Sequence, residues 1–75
     1  MNTEIIIHTG EYAGGIEDGE ILFQSDENVN FIPNVGDTLY VNKTYYKVVD
    51  RCINFEKLDV MSFCTAYILV KEDNQ

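Results

Sequence analysis

The sequence predicts an all-β fold, a small five-stranded antiparallel barrel of the SH3-like kind or a strongly curled sheet. Three observations lead there. The apolar residues are mostly β-branched or aromatic, with five Tyr, four Phe and many Ile and Val, and such side chains suit a pleated, half-buried surface better than a helix. Gly, Pro, Asn and Asp divide the chain into apolar runs of strand length. The best-organised stretch, FIPNVGDTLYVNKTYYKVVD at residues 31–50, places turn residues ahead of two runs joined by only Asn42-Lys43. An OB-like barrel is the second choice, weakened by the lack of a helix and by the length of 75 residues. That length makes a single domain, 1–75, which buries about 60% of the surface its unfolded chain exposes.

The elements follow in order. TEIIIHT (Thr3–Thr9) is a first strand with Ile5 and Ile7 on one face. GEYAGGIEDGE holds four glycines in eleven residues and is turn and loop. EILFQS (Glu20–Ser25) is a second strand, and DENVN a polar connection. Pro33 closes a strand or lies on an edge, Gly36 takes backbone angles other residues reach poorly, and the Asp37 carboxylate can accept from nearby amides. TLYV (Thr38–Val41) is strand three, Asn42-Lys43 the turn, and strand four runs from Thr44 through Phe55.

The last hairpin is a question of register. With EKLDV (Glu56–Val60) as a five-residue loop, Phe55 faces Met61, Ile53 faces Phe63, Val48 faces Ile68, Tyr46 faces Val70, and Cys52 faces Cys64. The apolar positions of strand four are even near its base (Tyr46, Val48) and odd near its tip (Ile53, Phe55). A strand has period two, so this switch predicts a bulge near residues 50–52 or a strand covered on both faces. A helix over NFEKLDVMSF, with Asn54 as N-cap, is the weaker alternative.

The run IPNVGDTLYVNKTYYKVVDR resembles a pattern in small uncharacterised bacterial and phage-associated β proteins: an apolar residue, Pro, Gly-Asp, a short strand, a turn, then Tyr-Tyr-Lys-Val-Val and a hairpin. The resemblance spans about residues 31–70. It implies a five-stranded barrel-like fold and carries no activity with it. The acidic, glycine-rich first half lies outside the pattern.

Charge excludes several classes of function. The net charge is −8, and residues 1–37 hold eight carboxylates with no Lys or Arg. Phosphate recognition needs clustered bases, so direct nucleic-acid binding is not expected, and anionic membrane is disfavoured for the same reason. The chain has no apolar run near 18 residues and no basic, apolar leader, which together point to a cytoplasmic protein.

Each candidate site has a plainer account. Asp26, Asn28, Asn30 and Asp37 fall at ligand positions of a calcium loop, but Phe31 stands where the sharp turn needs Gly and Pro33 interrupts. Gly10, Gly14, Gly15 and Gly19 lack the Gly-Lys-Ser/Thr of a phosphate cradle, and the carboxylates among them repel phosphate. Cys52 and Cys64 read as buried free thiols in a reducing compartment. His8 has no nucleophile elbow to serve, and Glu17-Asp18 sit on a loop rather than across a cleft. No catalytic residue, metal or cofactor is therefore expected.

The apolar hairpin is what remains. MSFCTAYILV (Met61–Val70) is apolar on both faces, so it is either covered by strand one or exposed to a partner. The expected function is a non-enzymatic interaction module that contacts a protein partner or a second copy through Phe55, Met61, Phe63 and Tyr67. The alternative is an acidic nucleic-acid mimic that inhibits a nuclease or DNA-binding protein. In that reading Glu11, Glu17, Asp18, Glu20, Asp26 and Glu27 stand in for phosphates.

Overall fold

The computed structural model describes residues 2–25 and 27–73. Five strands form one sheet: β1 (Asn2–His8), β2 (Ile21–Gln24), β3 (Thr38–Val41), β4 (Thr44–Leu58) and β5 (Met61–Glu72). Their order is β2-β1-β5-β4-β3, and the sheet curls until it is nearly closed into a barrel. The all-β class is as the composition predicts, but the sheet is mixed rather than antiparallel. β1 runs parallel to β5, with Ile5 beside Ala66 and Ile7 beside Ile68. The reason is the connection at residues 25–37. It carries the chain from the end of β2 to the start of β3 across one end of the barrel, so the β3-β4-β5 meander arrives with β5 pointing the same way as β1.

β5 is central, and the core forms on its inward face. Ala66, Ile68 and Val70 pack with Ile5 and Ile7 of β1, Val48 of β4 and Val41 of β3. Leu22, Val29, Ile32, Leu39, Tyr46 and Ile53 surround them. The opposite face of β1 and β5 is buried as well, at Ile6, His8 and Leu69. The segment between β1 and β2 covers this face at His8 and Tyr67. It returns over that face through a single 3₁₀ turn, Ile16–Asp18. Its neck is closed by Thr9, whose N–H donates to the Glu20 carbonyl and whose hydroxyl accepts from the Glu20 N–H, both at 3.0 Å.

Gly19 sits at that neck, where an added Cβ would collide with the Thr9 carbonyl oxygen. Relief requires moving backbone, not a flexible side chain. Gly19→Ala is therefore expected to destabilise the fold by about 1–3 kcal/mol, the usual cost of overpacking. The urea midpoint measures it, and an unchanged midpoint would mean that the neck yields freely.

The 31–50 stretch is a frame, as its turn residues imply. Asn42 and Lys43 both have positive φ, 51° and 67°, the two central angles that a twisted two-residue hairpin requires. The Asp37 carboxylate accepts from the Asn34 N–H at 2.8 Å. The Gly36 N–H donates to the Val48 carbonyl, and the Val48 N–H to the Asp37 carbonyl, each at 2.9 Å. The sheet is thereby extended one step past β3.

The β4–β5 hairpin corrects the expected register. Its loop is the two residues Asp59-Val60, and strand pairing replaces both the five-residue loop and the helical alternative over residues 54–63. Asp59 takes φ 55°, a left-handed angle that Asp tolerates. Phe55 consequently faces Cys64, Ile53 faces Ala66, Val48 faces Val70, and Tyr46 faces Glu72. The bulge is present: the register shifts between Val48 and Asp50, leaving Val49 as the extra residue. Inward positions switch there from even to odd, which is the parity change visible in the sequence. Cys52 now faces Tyr67, so the two thiols do not meet. Both are free, but only Cys64 is buried as expected; Cys52 is exposed, on the outward side of β4 past the bulge.

Candidate functional site

β4 and β5 outrun the rest of the sheet. Among the described residues β1 pairs with β5 as far as Asn2 beside Phe63, and β3 pairs with β4 only through Thr38 opposite Lys47. Beyond those limits the hairpin is a two-stranded arm, and the molecule measures 46 × 23 × 19 Å. Two-stranded ribbons are marginal in water and leave both edges open to other chains. The arm nonetheless ends in large apolar residues. Leu58 and Met61 face each other next to the turn, 61% and 52% exposed, and Val60 at the apex is 93% exposed.

The expected contact residues divide between surfaces. Met61 and Phe63 share one face of the arm with Leu58. Phe55 lies on the other face with Ile53 and Cys64. Tyr67 is half-buried at the base, its ring 6.3 Å from that of His8 in an edge-on arrangement. Leu58 and Val60 stand outside the expected contact set, in the stretch expected to form a loop. Their signal was the apolar character of a supposed turn, EKLDV, that contains no glycine.

His8 is fully buried. Its Nδ1 lies 3.0 Å from the Thr9 carbonyl oxygen, and its Nε2 lies 3.2 Å from the Gly14 N–H. Only the neutral tautomer with the proton on Nδ1 satisfies both, since a carbonyl can only accept and an amide N–H can only donate. The ring thus pins the glycine-rich segment to the sheet. Gly14 in turn rests against Tyr67, where an added Cβ would lie 3.9 Å from the ring.

The calcium-loop candidates are likewise engaged with backbone. Asn28 Oδ1 accepts from the Thr3 N–H at 2.6 Å, and Asp37 caps Asn34. Together with Ser25, whose hydroxyl accepts from the Ile5 N–H at 2.9 Å, Asn28 covers the edge of β1 beyond β2. Asp26 lies outside the described residues. Among the described residues no three His, Cys, Asp or Glu side chains converge on one point. Glu11, Glu17, Asp18 and Glu20 are all exposed on the segment above His8, and Glu27 is exposed on the connection that runs along β1. Among the described residues no helix is long and apolar enough to cross a membrane.

A second feature lies at the seam of the barrel. β2 and β3 are the sheet's two edges, and the Asn42 amide bridges them by donating to the Leu22 carbonyl at 3.0 Å. Below this bridge the seam opens into a cleft of about 370 Å³. Ile5 and Ile7 of β1, Phe23 of β2, Phe31 and Pro33 of the connection, and Leu39 of β3 bound it, and no charged side chain lines it.

Fold and sites together define a small all-β protein with a mixed, barrel-like sheet, a projecting arm and an apolar seam. Comparison with protein-family models, curated proteins and solved structures finds no match to the chain.

Proposed function

We propose that the protein is a non-enzymatic interaction module of the cytosol that works by self-association or as a subunit of an assembly, with the β4–β5 arm as its contact element. The observation that carries this reading is the arm's end, where Leu58, Val60 and Met61 project from a ribbon that the rest of the sheet does not support. Exposed apolar side chains on an open-edged ribbon are an aggregation hazard unless a partner covers them. Phe63 extends the same face toward the barrel, and Phe55 offers a second contact on the reverse side. The only His is occupied in holding a loop, which agrees with a role other than catalysis.

Sedimentation of the full chain is expected to give the mass of a dimer or larger species, insensitive to added salt. The double variant Leu58→Lys with Met61→Glu keeps an attractive cross-strand pair in the ladder and should dissociate that species. A wild-type monomer at high concentration would contradict the reading.

A second reading draws on four exposed carboxylates, Glu11, Glu17, Asp18 and Glu20, on one segment without a base. With Asp26 and Glu27 they would occupy the basic groove of a nuclease or repressor. Such binding weakens steeply with ionic strength, whereas apolar pairing does not, so a salt titration of the captured complex separates the two.

A further inference from the structure

The arm presents an apolar knob, and the seam presents an apolar hole. We infer that the arm tip of one copy, Leu58, Val60 and Met61, inserts into the β2–β3 seam cleft of a second copy. This rests on the self-association reading above and specifies its geometry.

The cleft suits such an occupant. Its volume of about 370 Å³ is large enough for the side chains at a hairpin apex, its floor is Ile5 and Ile7, and its lining carries no charge to desolvate. Phe23 and Phe31 at its boundary are 50% and 63% exposed, so two aromatic rings stand ready to close over an inserted group. Aromatic side chains of this kind supply most of the burial at interface cores.

The tip cannot fill its own cleft. Ile5 of the floor and Ile53 of β4 both pair with Ala66, and β4 stays paired from Ile53 to Leu58. At about 3.3 Å per residue the tip stands roughly 16 Å beyond that level, on a ribbon hydrogen-bonded to its end. A tip that occupies the cleft therefore comes from a second copy.

Charge favours the same pairing. Residues 1–37 supply three walls of the cleft and hold eight carboxylates with no base. Two such surfaces repel each other. The two-stranded arm, residues 57–62, carries Lys57 against Asp59, a net charge of zero. Arm against body thus avoids the repulsion that body against body would meet.

Knob and hole are different surfaces, so the contact is heterologous and propagates head to tail. Sedimentation velocity on the wild-type chain should show a concentration-dependent series extending beyond the dimer. Val60→Glu damages the tip and Phe31→Glu the cleft mouth. Both side chains are exposed, and unchanged circular dichroism and melting would verify that each variant folds. Each alone should be monomeric, with its dissociation constant raised about thirtyfold or more, the scale of a central anchor residue. Mixed in equal amounts, the two variants should form a 1:1 dimer that grows no further, because one intact tip meets one intact cleft.

A mixture that stays monomeric overturns the inference. So does Phe31→Glu assembling as the wild type does while Val60→Glu is monomeric; in that case the arm remains the contact element but docks elsewhere. If a neutral naphthalene fluorophore binds the Val60→Glu monomer but not Phe31→Glu, and the mixture is inert, the cleft is a small-molecule site and the inference falls. A wild-type chain that is itself monomeric removes the self-association reading along with it.

Discussion

Replacing Ile68 with alanine is expected to remove about 2–5 kcal/mol of stability. The central strand is the reason. Ile68 is fully buried, the largest side chain that is, and sits beside Ile7 of β1 and opposite Arg51 of β4. Its loss leaves a void at the one place where every layer of the core meets: Val48 and Val70 toward the base, Ile5 and Ala66 toward the arm. The strands around it are held by ladder bonds on both sides, so the void cannot collapse without breaking pairing. A 75-residue chain has roughly 4–11 kcal/mol of stability in total, so the substitution takes a large share of it. Thermal unfolding should fall by at least about 10 °C. Ile68→Val, which keeps the branched shape, should cost only about 0.5–1.5 kcal/mol. Equal effects from the two variants would show that the core relaxes around the site.

Replacing His8 with leucine is expected to release the segment above it rather than unfold the barrel. Leucine keeps apolar bulk on the buried face but accepts no hydrogen bond. The Gly14 N–H is left without its acceptor and the Thr9 carbonyl without the Nδ1 proton. Stripping this half-buried amide of its partner costs about 1 kcal/mol, the low end for a lost partner, and the cost falls on one locally folded segment. Residues 10–19 hold no ladder of their own, only the neck bonds between Thr9 and Glu20 and the turns within. Local opening of such a segment is governed by its own free energy, not the global one. Cleavage after Glu11 and Glu17 by a glutamate-specific protease should accelerate about tenfold or more, while Ile68 and its neighbours stay protected from amide exchange. Unchanged cleavage would mean that the packing of Gly14 against Tyr67 and the neck hold the segment without the imidazole.

The glycine-rich segment shows how a feature can be visible and still misassigned. Its four glycines marked it correctly as loop, and its carboxylates as solvent-facing. That it also roofs one side of the sheet was written in the neighbouring strand, where Ile5, Ile6, Ile7 and His8 are buried in succession. A run without alternation belongs to a strand covered on both faces. The covering element can be recognised only once His8 and Gly14 are known to meet. Likewise MSFCTAYILV divides along its length. Ile68 and Val70 are buried in the barrel core and Leu69 on the opposite face, whereas Met61 is exposed on the arm.

By itself, the sequence determined the strands and their bends. Turn residues separated the runs, Asn42-Lys43 set the β3–β4 hairpin, and the parity change along β4 pointed to a bulge near residues 50–52 or a strand covered on both faces, of which the bulge is found, at Val49. These are local consequences of side-chain period and backbone preference. Only the tertiary structure decided that β1 lies parallel to β5, that Phe55 faces Cys64, that the arm outruns the sheet, and that β2 and β3 leave an apolar seam. The physical reason is that a period of two assigns a residue to a face, but not to a neighbour or a direction. Those are chosen by which distant strand buries the most apolar surface with its ladder intact, a comparison among contacts far apart along the chain.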